Sequence, residues 1–144
     1  MPYCTLDDIK KSIPEANIVQ LTDDTGTEVI DQTNVDKAIS VADSIIDGYM
    51  RGRYSIPLST VPELIKTIAI DIAIYKLYER RLKLEMPEAM MARYKNALKM
   101  LEQIQKGLIK LGIESPETGP GQGHYKTNKT TDDRLFNKSL LERF

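Results

Sequence analysis

Between residues 34 and 106 the apolar positions recur at helical spacing in three long blocks. In the first, Val35, Ala38, Ile39, Ala42, Ile45, Ile46, Tyr49 and Met50 follow at intervals of three and four, while Asp36, Lys37, Ser40, Asp43 and Asp47 fall opposite. Such a stripe predicts an amphipathic helix with one face in a core and one in water. Thr33 or Asn34 can cap it, and Gly48 and Gly52 weaken its far end. The second block opens at Pro62-Glu63 and is predicted to run to about Leu84. From Ile65 to Tyr78 it is apolar nearly all round, the mark of a central helix. Ile68-Ala69-Ile70-Asp71-Ile72-Ala73-Ile74 also alternates as a strand does, but its length, the proline at its start and the lack of internal glycine favour helix. The third block begins at Pro87, puts Met90, Tyr94, Ala97, Leu98, Leu101 and Ile104 on one face, and meets a natural stop at Gly107. Leu108-Ile109-Lys110-Leu111 is compatible with a short extended piece.

Ahead of these blocks the signals are shorter. Thr5 and Asp8 have the spacing of a capping box, with Asp in place of the usual Glu or Gln, and predict a helix over Leu6 to Ser12. Pro14 halts it and suits the first helical position of a second short helix towards Leu21. Thr22 to Thr27 reads as a turn, with Gly26 available for positive φ. It is not an EF-hand loop, because the position five residues before the glycine, where the first oxygen ligand belongs, is Leu21. Arg51 to Leu58 reads as helix exit into an extended connector, since Pro57 pushes Ile56 out of the helical region.

From Gly112 the composition changes. Gly119-Pro120-Gly121-Gln122-Gly123 breaks regular structure, and Lys126 to Arg134 has no apolar face. The pattern therefore divides the chain into a helical bundle over residues 1–111 and a flexible arm over 112–144, which could reach on the order of 100 Å if fully extended. The expected fold is all-α: three long helices, short N-terminal helices and an extended C-terminal arm. Phe136, Leu140 and Phe144 recur every fourth residue and would align on a helix.

Charge adds one feature to this picture. The net charge of −1 argues against non-specific coating of nucleic acid, which needs many uncompensated bases. Yet residues 1–60 carry five bases against ten acids, and residues 61–111 carry ten bases against six acids. The two sets either solvate opposite faces or let one subunit's acidic region meet the next one's basic region. The single cysteine, Cys4, reads as a small buried group and fits a reducing compartment. The opening residues lack signal-peptide features, and Ile68 to Leu77 is too short and too interrupted to span a bilayer, so neither secretion nor membrane insertion is expected.

Catalytic chemistry is not expected. The sole histidine, His124, lies in the arm, where nothing would orient it as a base. The glycines 119–123 lack the Lys-Ser/Thr of a phosphate loop, and no Cys/His set is spaced for zinc, so neither metal nor cofactor is expected. Asp71 stands out as an acid among isoleucines, costly if buried alone. Arg51 or Arg53, at the preceding helix exit, is the candidate partner; alternatively Asp71 faces solvent or a neighbouring subunit. In the arm, Arg134, Leu135, Phe136, Leu140, Leu141 and Phe144 are the candidate partner-binding residues. A polar leash ending in apolar side chains suits docking on another subunit, or else it folds back over its own bundle.

The order and spacing of several segments resemble the Mu-like phage proteins encoded among the head genes. These segments are Tyr3-Cys4-Thr5-Leu6-Asp7-Asp8-Ile9, Gln20 to Asp23, Ile46-Asp47-Gly48-Tyr49, and Arg53-Tyr54 with Ile56-Pro57-Leu58. Further on come Ile68 to Ala73, Tyr75 to Arg80, Arg93-Tyr94-Lys95, Leu101-Glu102, Arg134-Leu135-Phe136 and Ser139-Leu140. That family is similar to the α-helical head–tail connector proteins, also called adaptor or head-completion proteins, of tailed phages. The resemblance implies a non-enzymatic virion part, made in the host cytoplasm, that forms a homo-oligomeric ring beside the portal and contacts neighbouring head and tail proteins. The rival reading is a small helical DNA-binding or regulatory module. It would need a basic recognition helix, and the block from Asn34 to Arg51 is acidic instead.

Overall fold

The computed structural model describes residues 1–113, and these form five helices: α1 (Leu6–Ser12), α2 (Glu15–Thr22), α3 (Gln32–Met50), α4 (Glu63–Arg80) and α5 (Glu88–Gln105). Helix α4 packs against all four of the others, and α3 and α5 also meet each other. The alternating run Ile68–Ile74 is helical, as length and punctuation favoured. Its side chains explain the ambiguity. Ile65, Ile68, Ala69, Ile72, Ala73, Ile74 and Leu77 are all buried, so the helix has little polar face to reveal its period. Ile9 and Ile18 from the short helices, Ile46 and Met50 from α3, and Leu101 and Ile104 from α5 complete the core around it.

The helix ends show which local signals decided. Thr5 and Asp8 form the expected capping box: the Thr5 side chain accepts from Asp8 N–H, and the Asp8 carboxylate accepts from Thr5 N–H. Pro14 and Pro87 each stand one position before their helix, as N-cap residues in extended conformation, so Pro14 does not occupy the first helical position. Helix α3 begins earlier than Thr33 or Asn34 suggests. Asp31 is its cap, accepting from Thr33 N–H and Asn34 N–H. Asn34 instead turns inward, and its side-chain amide donates to the Thr22 carbonyl at 2.9 Å. Helix α4 stops at Arg80 and not near Leu84, because Arg81 leaves helical geometry and turns its guanidinium to the carbonyl of Asp23.

Gly107 terminates α5 through both bonds of a Schellman motif: Leu108 N–H to the Gln103 carbonyl and Gly107 N–H to the Ile104 carbonyl. Its φ of +76° is the left-handed conformation that this closure needs and that glycine adopts without strain. Residues 108–111 form no strand; they run back along the α3–α4 connector, where Leu111 N–H donates to the Tyr54 hydroxyl.

A core centred on α4 makes a direct prediction. Ile72→Ala should lower unfolding free energy by about 2–5 kcal/mol, through lost burial plus a cavity. Leu82→Ala, at a position 95% exposed, should change it by less than about 0.5 kcal/mol. Urea titration of the two variants beside the parent checks both.

Candidate interaction surfaces

Three polar clusters tie the peripheral segments to the central helix. In the first, the Asp8 carboxylate serves as N-terminal cap of α1 and also meets Lys66 of α4 at 2.9 Å. The Lys66 ammonium, with help from the Thr5 donors, holds the Asp8 carboxyl below the usual carboxylate range. In the second, Arg80 grips both Asp24 oxygens with its two terminal nitrogens at 2.8–3.1 Å, and Arg81 lies 3.2 Å from the same carboxylate. Asp23 organises that loop from within by accepting from the backbone N–H groups of Thr25, Gly26 and Glu28. The aspartates that could suggest a cation loop are thus engaged by backbone and arginine.

The third cluster involves Asp71. Its side chain is only 10% exposed, and its partner is Arg93 of α5, with Nη2 2.6 Å from Oδ1. It does not pair with Arg51, which is exposed, or with Arg53, whose Nε donates to the Gln105 carbonyl at 3.3 Å. The reason is geometric. Arg51 and Arg53 sit beyond the end of α3, where Arg53 lies against the C-terminal end of α5, whereas Asp71 lies mid-way along α4 on the seam with α5. Arg93 also donates to Ser12 Oγ at 2.9 Å, so one guanidinium links α1, α4 and α5. The contact with Asp71 is a close ion pair without hydrogen-bond alignment at Oδ1. Burial accordingly outweighs the arginine and pushes the Asp71 carboxyl upward. Nearby, Tyr75 and Tyr94 close the same seam with stacked rings, their centroids 3.8 Å apart.

The N-terminal residues build a different kind of surface. Tyr3 lies along α3, with its backbone N–H donating to Asp43 Oδ1 at 3.1 Å and its hydroxyl donating to Asp47 Oδ1. Burial, then the Asp47 contact, pushes the Tyr3 hydroxyl up to about 12. Cys4 is 1% exposed, and burial with nearby Asp43 and Asp8 pushes its thiol up to about 12 as well, which suits packing and not nucleophilic attack. Beside this strap lies an open hollow of about 460 Å³, floored by Leu6, Ile39 and Pro57 and rimmed by Asp36, Asp43 and Asp47. Among the described residues, none of these three carboxylates has a cation within 4 Å.

The outward side of α5 is the counterpart. Lys95, Lys99 and Lys106 are exposed, and none has an acid within 4 Å among the described residues. The charge asymmetry along the chain therefore becomes an acidic α3 face and a basic α5 face. The arm residues Arg134, Leu135, Phe136, Leu140, Leu141 and Phe144, together with His124, lie outside the described residues. Arg93 escaped sequence reasoning because α5 positions were read for their apolar stripe. Its signal was available: it falls next to Tyr94 on the flank of that stripe, where a long side chain can reach across a helix seam.

These features define a five-helix, all-α domain distinguished by charged outer faces and an acid-rimmed hollow, and no described helix is long and apolar enough to cross a membrane. Residues 3–129 match the family described as Bacteriophage Mu, Gp36, and the chain belongs to that family. It is similar to gene product J of Escherichia phage Mu, with 27% identity over 139 residues that cover 96% of each chain. It is also similar to the Mu-like prophage FluMu protein gp36 of Haemophilus influenzae, 31% identical over 88 residues, 61% of this chain and 60% of that protein.

Two measurements test the internal clusters. A double-mutant cycle of Asp71→Asn with Arg93→Met should give a coupling of about 1 kcal/mol, reduced by the partial exposure of Arg93. Cycles of Asp71→Asn with Arg51→Met or Arg53→Met should be additive to within about 0.5 kcal/mol. For Asp8 the folded-state carboxyl lies below its unfolded value, so its stabilisation is present above the unfolded value near about 3.9 and fades as pH falls through the lower folded one. Asp8→Asn should cost about 1–2 kcal/mol at pH 7, with the gap to the parent closing at acid pH in chemical denaturation series.

Proposed function

We propose that this phage protein is a virion structural subunit, a head–tail connector or adaptor that assembles as an oligomeric ring next to the portal. The observation that carries the reading is the separation of an acidic face on α3 from a basic face on α5 within a chain of the Gp36 family. A molecule with two different, complementary faces associates head to tail, and such contacts close into rings when the rotation between neighbours allows it. In this reading the chain is a non-enzymatic part, its partners are other copies of itself, the portal and neighbouring head and tail proteins, and its place is the virion after assembly in the host cytoplasm. The inert, buried Cys4 is consistent with that role.

The arm adds a second contact. Its apolar positions Phe136, Leu140 and Phe144 supply an anchor, and the polar stretch before them supplies reach. A recognition-helix role for α3 is disfavoured by its acidic outer face, since phosphate contacts need bases there.

Sedimentation and negative-stain imaging of the purified chain, alone and with the portal protein of the same phage, provide the test. Rings, or a portal-dependent shift in size, are expected; a monomer indifferent to portal would overturn the reading, and steeply salt-dependent DNA binding would favour a regulatory module. Deleting residues 130–144 should leave the melting temperature unchanged and weaken partner binding. A drop in melting temperature with partner binding intact would show the arm covering its own bundle.

A further inference from the structure

The charged faces carry more than a sign; they carry a register. On α3, Asp36, Asp43 and Asp47 are separated by seven and then four residues. On α5, Lys95, Lys99 and Lys106, the last being the helical C-cap, are separated by four and then seven. Each triplet spans about 16 Å at the helical rise and stays within an arc of about 40°. The two spacings are mirror images, so they coincide when the helices run antiparallel.

We infer that α5 of one copy lies antiparallel along α3 of a second copy, with Lys95 facing Asp47, Lys99 facing Asp43 and Lys106 facing Asp36. The inference rests on the ring reading and specifies the contact that builds the ring. In this register the only acid within the lysine stripe, Glu102, falls opposite the neutral Ser40, so no like charges oppose each other.

Several observations fit this occupant. The contact cannot form within one chain, because α3 and α5 already pack on each other and on α4 through their apolar faces. Asp43 and Asp47 are pre-positioned, each holding Tyr3 with Oδ1, and Asp36 Oδ1 is held by the Gln32 amide at 2.7 Å. In the described hydrogen bonds each keeps its second oxygen for a cation. The hollow beside them, with Leu6, Ile39 and Pro57 in its lining, gives the incoming helix an apolar floor and not charge alone. Because acid and base faces differ, each added copy leaves the same two faces open at the ends, as ring growth requires.

Charge exchange tests the register on the full chain. Variant one carries Asp36→Lys and Asp43→Lys; variant two carries Lys99→Glu and Lys106→Glu. Each alone opposes like charges and should sediment as monomer, while circular dichroism reports parent-like helicity. Mixed in equal amounts, the two offer only matched faces, and assemblies of parental size should return. If loss of the Tyr3 acceptor unfolds variant one, Asp36→Lys against Lys106→Glu repeats the exchange at exposed positions. Parent-like assembly of both single variants, or a mixture that stays apart, would overturn this contact while leaving the ring reading intact if the parent still assembles. A parent chain that is monomeric with and without portal would overturn both.

Discussion

Helix α4 offers water almost no face it can accept, and the remaining helices are arranged to cover it. Seven of its side chains are buried, and each of the other four helices contributes to their enclosure. A helix of this kind cannot be stable alone, because its burial is supplied by tertiary packing and not by propensity. The two short N-terminal helices make sense in that light. Neither is long enough to persist by itself, and each delivers an isoleucine to the core, Ile9 and Ile18, that is fully buried.

Apolar cover does not by itself fix orientation, and the polar ties at the rim supply that. Lys66 with Asp8 sets where α1 crosses α4, the arginine pair at the end of α4 sets the loop after α2, and Arg93 sets α5 against both α1 and α4. Each tie joins a half-exposed base on a long helix to an acid or hydroxyl near a helix end or seam. The strength of each is modest where solvent reaches it. Together they discriminate among packings that the aliphatic core alone would tolerate.

Much of this architecture was legible in the residue order. Proline before acid marked the starts of α4 and α5, the Thr5–Asp8 spacing marked α1, and Gly107 marked the end of α5, because these signals act through local backbone chemistry. The misread features depended on contacts distant in sequence. The early end of α4 is decided by the loop that Arg81 reaches, nearly sixty residues away in the chain. Asp71 was rightly singled out as a costly acid. Its partner could not be assigned by proximity along the chain, because α5 returns beside α4 after a further connection and brings Arg93 closer than either Arg51 or Arg53. The two charged faces were foreshadowed by the uneven distribution of acids and bases, but their matched spacing emerges only once the outward stripes of α3 and α5 are known.

The Schellman closure at Gly107 and the bond from Leu111 to Tyr54 also determine where the chain departs from the bundle. It leaves from the corner where α3 ends and its connector begins, beside Arg53. Whatever residues 114–144 bind, they bind from a root fixed at that corner, and their reach is measured from it. In a closed assembly every root would lie at the same height, so the roots would form a collar of equivalent attachment points, and the effective concentration of each arm at a shared partner would be bounded by chain length.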